Sequence, residues 1–244
     1  MTVRASIDRL APVVLLVGAA VVALASSPVA ALSPSPATAT PTPAYESAAA
    51  TDVGSVIERV INRNPGLHSY KATAHLDLHQ VSFPYLHPVL DGHAYVFAPG
   101  YTTFDYPHTP FYLKGFTKFQ GAFGDAGRWQ HCYDITMSAQ PTAIQLHMVP
   151  KVQGEIAFID VAIAPDGAIS HAEWRYRENE KDYISLTQTY STIDGHNIVT
   201  SQATDVTFRH IRARGTQTFS EFEFNVPVPT PSPTPADPAH ACDN

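Results

Sequence analysis

The chain has only two cysteines among its 244 residues, Cys132 and Cys242. This number is too small for a disulfide scaffold, and a domain of ordinary size does not need one. The two cysteines could pair in an oxidising compartment, or they could be two unrelated thiols. The sequence leaves both possibilities open.

Basic residues are also scarce, with 15 Lys and Arg against 22 Asp and Glu and a formal charge of −7. Residues 1–31 contribute +1 through Arg4, Arg9 and Asp8, so the remainder carries −8. Binding to nucleic acid requires a basic surface, and adhesion to anionic lipid headgroups requires basic clusters. The acidic balance therefore argues against both classes of partner.

Motifs of catalysis are missing as well. The chain contains no H-E-x-x-H, no G-x-S-x-G and no glycine-rich phosphate loop, which are the signatures of metalloproteases, α/β-hydrolases and nucleotide-binding enzymes. We therefore predict no catalytic residues and no cofactor, and an enzyme is the function with the least support.

Twelve histidines are present but scattered, without the paired spacing of zinc sites. His75, Asp77 and His79 alternate along one strand face, yet the outer two lie roughly 13 Å apart at the rise of a strand and cannot both bind one ion directly. Glu221 and Glu223 likewise share a face opposite two phenylalanines. Solvated strand faces explain both patterns, and no metal site is predicted.

The N-terminus has the order of chemistries typical of a signal peptide. Arg4 and Arg9 precede an uncharged apolar run over 11–25, and small residues follow over 26–31. The run of 15 residues is shorter than the ~30 Å hydrocarbon core requires at about 1.5 Å per residue. Cleavage after Ala30 or Ala31 is the favoured interpretation, and a retained membrane anchor is the alternative. No cysteine lies near that position, which excludes the usual bacterial lipidation.

Two proline-rich tracts, 33–43 and 226–238, delimit the rest of the chain. Neither can bury enough apolar surface to offset the entropy of ordering it. We predict a signal peptide or uncleaved anchor over 1–31, a disordered linker over 32–50, one β domain over 51–229 and a disordered tail over 230–244.

Within the domain, one helix and a series of strands are predicted. Val53, Val56, Ile57, Val60 and Ile61 follow the helical period, with Thr51 or Asp52 as the cap and Asn64-Pro65-Gly66 as the end. Alternation of period two follows, with hairpin turns at 165–167 and 194–195. The predicted strands cover 70–78, 89–98, 100–106, 132–138, 143–150, 155–164, 168–178, 182–193, 196–209 and 213–224. Segment 110–131 breaks this alternation and predicts a short helix with loops. The domain as a whole is therefore predicted to be a meander of strands with little helical cover.

Aromatic residues concentrate between 83 and 129. They are either an ordinary β-domain core or the lining of an apolar cavity beneath a mobile cover. The candidates for such a lining are Phe83, Tyr95, Phe97, Phe104, Tyr112, Phe116, Phe119, Trp129 and Trp174.

The order of several segments resembles the periplasmic lipoprotein-carrier superfamily, the outer-membrane lipoprotein-sorting proteins of the LolA/LolB type. An export signal and an amphipathic helix precede Pro65-Gly66-Leu67-His68-Ser69-Tyr70-Lys71-Ala72. An Asp91-Gly92 strand and a Pro99-Gly100-Tyr101 step follow, then hairpins over 155–195 and a closing Phe224-Asn225-Val226-Pro227. The resemblance covers roughly 53–229.

This resemblance implies a curved antiparallel sheet forming an incomplete β-barrel, with the N-terminal helix and a short helical or loop lid over its mouth. It also implies non-enzymatic carriage of lipid or lipoprotein acyl chains, with no cofactor and an envelope membrane protein as donor or acceptor. We expect a monomer that is exported to the periplasm or extracytoplasmic envelope. The alternative is a membrane-tethered interaction module that binds protein or glycan on its sheet surface.

Overall fold

The structure of the chain is a computed structural model, and it describes residues 52–97, 101–110, 126–227 and Cys242. The predicted export segment, the linker and most of the tail lie outside these ranges, as do the lining candidates Tyr112, Phe116 and Phe119. No helix within the described part is long and apolar enough to cross a membrane.

All ten predicted strands are present, and each end lies within two residues of its prediction. They are β1 (Ser69–Gln80), β2 (Val89–Phe97), β3 (Tyr101–Asp105), β4 (Tyr133–Ala139), β5 (Ile144–Pro150), β6 (Ile156–Ile163), β7 (Ile169–Tyr176), β8 (Tyr183–Ile193), β9 (His196–Phe208) and β10 (Ile211–Phe224). The helices are α1 (Val53–Ile61) and the four-residue α2 (Trp129–Cys132), which follows a 3₁₀ turn at Ala126–Arg128.

Helix α1 begins and ends close to where the sequence predicts. The Asp52 carboxylate accepts a hydrogen bond from the Ser55 N–H at 2.9 Å, which satisfies one of the unpaired N–H groups of the first turn. Val56 and Ile57 are buried on the apolar face. The helix ends at Ile61, with Asn62 as its C-cap.

The strands form one antiparallel sheet in the order β3-β2-β1-β10-β9-β8-β7-β6-β5-β4. The chain therefore makes two meanders, β1 to β3 and β4 to β10, which are joined where the first strand pairs with the last. This pairing of β1 with β10 departs from the single meander expected from sequence. The consecutive strands β3 and β4 are the two edges of the sheet, so the curved sheet remains an incomplete barrel that is open between them.

Two apolar clusters cover one face of the sheet. The first contains residues of α1 and α2 packed on β4 to β8, with Leu146, Met148 and Val161 at its centre. The second contains Leu76 and Leu78 of β1 together with residues of β2, β9 and β10, and none from either helix. Ile184 and Phe208 pack against both clusters. Among the described residues, helix α1 therefore packs against one half of this face of the sheet.

A disulfide joins Cys132 at the end of α2 to Cys242, with their Cα atoms 5.2 Å apart. The structure thereby selects between the two possibilities that the sequence left open. Because Cys132 is buried, the bond attaches the C-terminal tail to the helix that packs on the first cluster.

Candidate ligand-binding face

The two faces of the sheet differ sharply in charge. Cross-strand partners in an antiparallel pair point to the same side, so the register assigns each residue to a face. Among the described strand positions that share a face with Ala74 and Leu76, none holds Asp, Glu, Lys or Arg. We call this the inner face, and it offers a bound molecule an uncharged surface.

The charged residues of the strands project from the opposite, outer face. Three ion pairs between Lys71 and Glu223, Glu173 and Arg175, and Asp205 and Arg214 have separations of 3.3, 2.6 and 3.2 Å. These pairs are partly exposed to solvent, so each contributes little to stability. What matters here is their location: these charged side chains lie on the outer face, away from the inner face.

Buried and half-buried aromatic side chains line the part of the inner face that lies outside the first cluster. A middle group consists of Phe104, Tyr106 and Phe219. The centroid of the Phe104 ring lies 6.1 Å from that of Tyr106 and 6.3 Å from that of Phe219. An end group consists of Tyr70, Phe222 and Phe224, with ring centroids 6.1 to 6.2 Å apart. Both separations fall in the range of favourable aromatic pairs.

A β-bulge in β10 places both groups on the same face. Phe219 and Phe222 are three residues apart, so a regular strand would point them to opposite sides. Glu221 has a φ of 52°, and the register between β1 and β10 shifts at this point. The Glu221 carboxylate accepts a hydrogen bond from Thr73 Oγ1 at 2.7 Å, which holds the extra residue on the outer side.

Two of the neutral polar side chains on the inner face have hydrogen-bond partners within the protein. Gln217 is buried and donates a hydrogen bond to the Tyr106 hydroxyl. Tyr190 donates to the Ile169 carbonyl at 3.0 Å, and its ring lies 4.3 Å from the Arg63 guanidinium carbon. Arg63 follows α1 and places a positive charge against this face.

Burial raises the pKa of Tyr70, Tyr106 and Tyr190 above the ordinary tyrosine value. Their hydroxyls therefore stay protonated at neutral pH and act as hydrogen-bonding groups rather than as bases. Chemically, the described part of this face can shield an apolar molecule from water and hydrogen-bond to a polar end of it.

The sequence-predicted lining residues are distributed unevenly. Trp129 and Trp174 are buried in the first cluster, and Phe104 is half-buried in the middle group. Tyr95 pairs with Lys71, and Phe97 with Ser69, which places both on the outer face. Phe83 lies in the loop between β1 and β2 and is 74% exposed. Tyr112, Phe116 and Phe119 fall outside the described residues.

Sequence reasoning did not select Tyr70, Phe219, Phe222 and Phe224 for the lining. The alternation of Phe222 and Phe224 with acidic residues gave their common face, which the structure confirms. In a regular strand Phe219 would point to the face opposite Phe222 and Phe224, and only the bulge brings it to their side. The local sequence contains no glycine or proline that would mark it.

No known family model matches the chain, and no curated protein matches it in sequence. The chain is similar in structure to a DUF1329 family protein from Desulfovibrio piger, at 11% identity and a TM-score of 0.52, over 72% of this chain and 95% of that one. It is equally similar to a predicted outer membrane lipoprotein-sorting protein domain from Vibrio parahaemolyticus, at 12% identity and a TM-score of 0.52, over 72% and 93% of the two chains. A LolA superfamily protein from Nitrosomonas europaea matches at 7% identity and a TM-score of 0.47. Taken with the open ten-stranded sheet, the first two likenesses show that the chain shares the fold of these two solved structures.

Proposed function

We propose that the protein binds the acyl chain of a lipid or lipoprotein on the inner face of its sheet and carries it through an aqueous part of the bacterial cell envelope. The observation that carries the proposal is the uncharged inner face, with buried and half-buried aromatic groups on the part that lies outside the first cluster. A fold shared at 12% identity with a lipoprotein-sorting protein domain supports this function.

The driving force is the removal of acyl surface from water. Each buried CH₂ contributes about 0.8 kcal/mol, so an acyl chain leaves water for any accessible apolar surface. The two aromatic groups offer such a surface without a charge that would have to be desolvated. No covalent step is required, and binding and release suffice for transport.

The proposed lining consists of the middle group and the end group. Phe83, Tyr95 and Phe97 are left out because of where they lie. Export to the periplasm or extracytoplasmic envelope, action as a monomer, and transfer to or from a membrane-protein partner belong to the same proposal. They draw on the signal-like residues 1–31 and on the acidic charge of the remainder.

The test measures uptake of a fluorescent fatty acid by the purified full-length chain, with Phe219→Asp and Phe104→Ala as inner-face variants. We expect saturable uptake by the unmodified protein and at least about a tenfold loss of affinity in Phe219→Asp, since a carboxylate would have to be desolvated against the ligand. Phe104→Ala removes apolar contact without adding charge and should weaken binding less.

Tyr95→Asp is the matched control, because it also replaces an aromatic residue with aspartate, but on the outer face of β2. Its affinity should equal that of the unmodified protein, and far-UV spectra should show that all variants keep their strands. Absence of uptake by the unmodified protein, or equal losses in Tyr95→Asp and Phe219→Asp, would overturn the proposal. Mass spectrometry of an organic extract would identify a lipid that copurifies.

A further inference from the structure

We propose that Asp77, His79 and His87 form a binding site for a divalent transition-metal ion of the Zn²⁺ class on the outer face of the sheet. The site lies on the opposite face from the aromatic groups and does not depend on the proposed lipid binding. Two of its residues belong to β1, and the third belongs to the loop before β2.

The hairpin places the two histidines directly opposite each other. The Leu78 N–H donates to the Pro88 carbonyl at 3.1 Å, and the Gln80 N–H donates to the Leu86 carbonyl at 2.8 Å. His79 and His87 therefore form the intervening non-hydrogen-bonded pair, the position at which cross-strand side chains approach most closely. Their ring centroids are 3.5 Å apart.

The tip of the same loop is attached to the neighbouring hairpin. The Val81 N–H donates to the Arg212 carbonyl at 2.8 Å, and the Arg212 N–H donates to Ser82 Oγ at 2.9 Å. These bonds restrict the backbone that leads to His87. A ligand set held in this way loses less conformational freedom on binding a metal than one on a free loop.

The separations from Asp77 to the two histidines already suit one ion. Asp77 Oδ1 lies 2.7 Å from His87 Nε2 and 3.2 Å from His79 Nε2, and all three atoms lie within 4.8 Å of one another. With metal bonds of about 2.0 to 2.1 Å, the two separations from Asp77 correspond to ligand–metal–ligand angles of roughly 80° to 105°. Tetrahedral and octahedral sites both use angles in or near this range.

Two imidazoles and one carboxylate are ligands that Zn²⁺, Co²⁺, Ni²⁺ and Cu²⁺ accept, whereas Ca²⁺ and Mg²⁺ prefer oxygen atoms. The side chains are 42%, 53% and 50% exposed for Asp77, His79 and His87. Solvent can therefore reach the site, and water would occupy the remaining coordination positions.

The positive charge on the neighbouring strand is already paired. Arg214 is the cross-strand neighbour of His79 on β10, and its Nε lies 3.2 Å from Asp205 Oδ2. This ion pair lowers the repulsion that an incoming cation would meet. Elsewhere on the outer face, His75 with Asp91 and His147 with Asp160 each combine one imidazole with one carboxylate at 2.7 Å, which provides two ligands instead of three.

The test is a calorimetric titration of the full-length chain, purified without a histidine tag, with zinc chloride. We expect one ion per chain, and at least about a tenfold weaker affinity in His87→Ala and His79→Ala, since even changes outside the ligand shell weaken metal sites by 10- to 100-fold. Asp77→Asn keeps the shape of the side chain and removes its charge, so weaker binding in this variant separates a ligand from a structural role.

His147→Ala is the matched control, because it removes a histidine that is also paired with a carboxylate on the same face. It should bind zinc like the unmodified protein. Imidazole NMR resonances that shift with zinc should be those missing from His79→Ala and His87→Ala. The proposal is overturned if the unmodified chain binds no zinc, or if His147→Ala weakens binding as much as His87→Ala does.

Discussion

Asn64, just beyond α1, exchanges two hydrogen bonds with the backbone of Asn197 in the β8–β9 hairpin. Its side-chain amide donates to the Asn197 carbonyl at 3.0 Å, and its side-chain carbonyl accepts from the Asn197 N–H at 2.8 Å. Arg59 adds a bond to the Pro165 carbonyl at 3.2 Å in the β6–β7 turn. The helix is therefore fixed to two hairpins by directional bonds in addition to its apolar packing.

Replacing Asn64 with alanine should destabilise the domain by about 1 to 3 kcal/mol, because the partly buried Asn197 N–H loses this partner and the Asn197 carbonyl keeps only its bond from the Arg63 guanidinium. The free energy of unfolding in urea measures the effect. Asn62→Ala is the matched control at the same helix end, where the side chain is exposed, and it should change stability by less than about 0.5 kcal/mol. Equal effects of the two variants would contradict the role assigned to Asn64.

Reduction of the bond between Cys132 and Cys242 should lower stability by about 2 to 4 kcal/mol, because the bond closes a long loop in the unfolded chain. The two cysteines are 110 residues apart. Urea unfolding with and without a reductant measures the change. A Cys132→Ser, Cys242→Ser double variant should be insensitive to reductant, and an unmodified protein that is equally insensitive would show that the bond does not constrain unfolding.

The period of the apolar residues was sufficient to predict α1 and all ten strands. Strict alternation in β1, from Tyr70 to Leu78, identifies a strand with one wet face, and the structure buries Ala72, Ala74, Leu76 and Leu78. Pairing of β1 with β10 could not be predicted in the same way. It joins residues about 140 positions apart, and local periodicity carries no information about which strands become neighbours.

The residues of the candidate sites could not be selected from the sequence alone, because the selection requires knowing which strands pair and in which register. Aromatic density selected Tyr95 and Phe97, but their face follows from the register with β1. Conversely, His79 lacked a close second histidine along its own strand, and His87 reaches it only because the hairpin turns between them. Face assignment and cross-strand proximity are properties of pairing, and pairing is fixed by the whole sheet.

Gly92 should not tolerate a side chain. A Cβ there would overlap the Asp105 backbone carbonyl and lie 2.7 Å from Tyr106 Cδ1, because the end of β3 passes directly over it. Gly92→Ala should therefore cost about 1 to 3 kcal/mol through forced displacement of β3, as measured by urea unfolding. Gly154→Ala, where a Cβ would meet nothing within 4 Å, should be close to neutral, and a neutral Gly92→Ala would mean that β3 can move away without cost.

Stability should fall in alkali, and Tyr176 should contribute to the fall. Burial, assisted by the Glu155 and Asp182 carboxylates, raises the pKa of Tyr176 to about 12, whereas an unfolded tyrosine titrates near 10. Between these values the folded state keeps a proton that the unfolded state has lost, so rising pH favours unfolding by up to about 1.4 kcal/mol per pH unit for this residue. Tyr176→Phe should show a shallower decline above pH ~10 than the unmodified protein, while the stability difference between the two stays constant below pH ~9. Parallel curves over the whole range would show that Tyr176 ionises equally in both states.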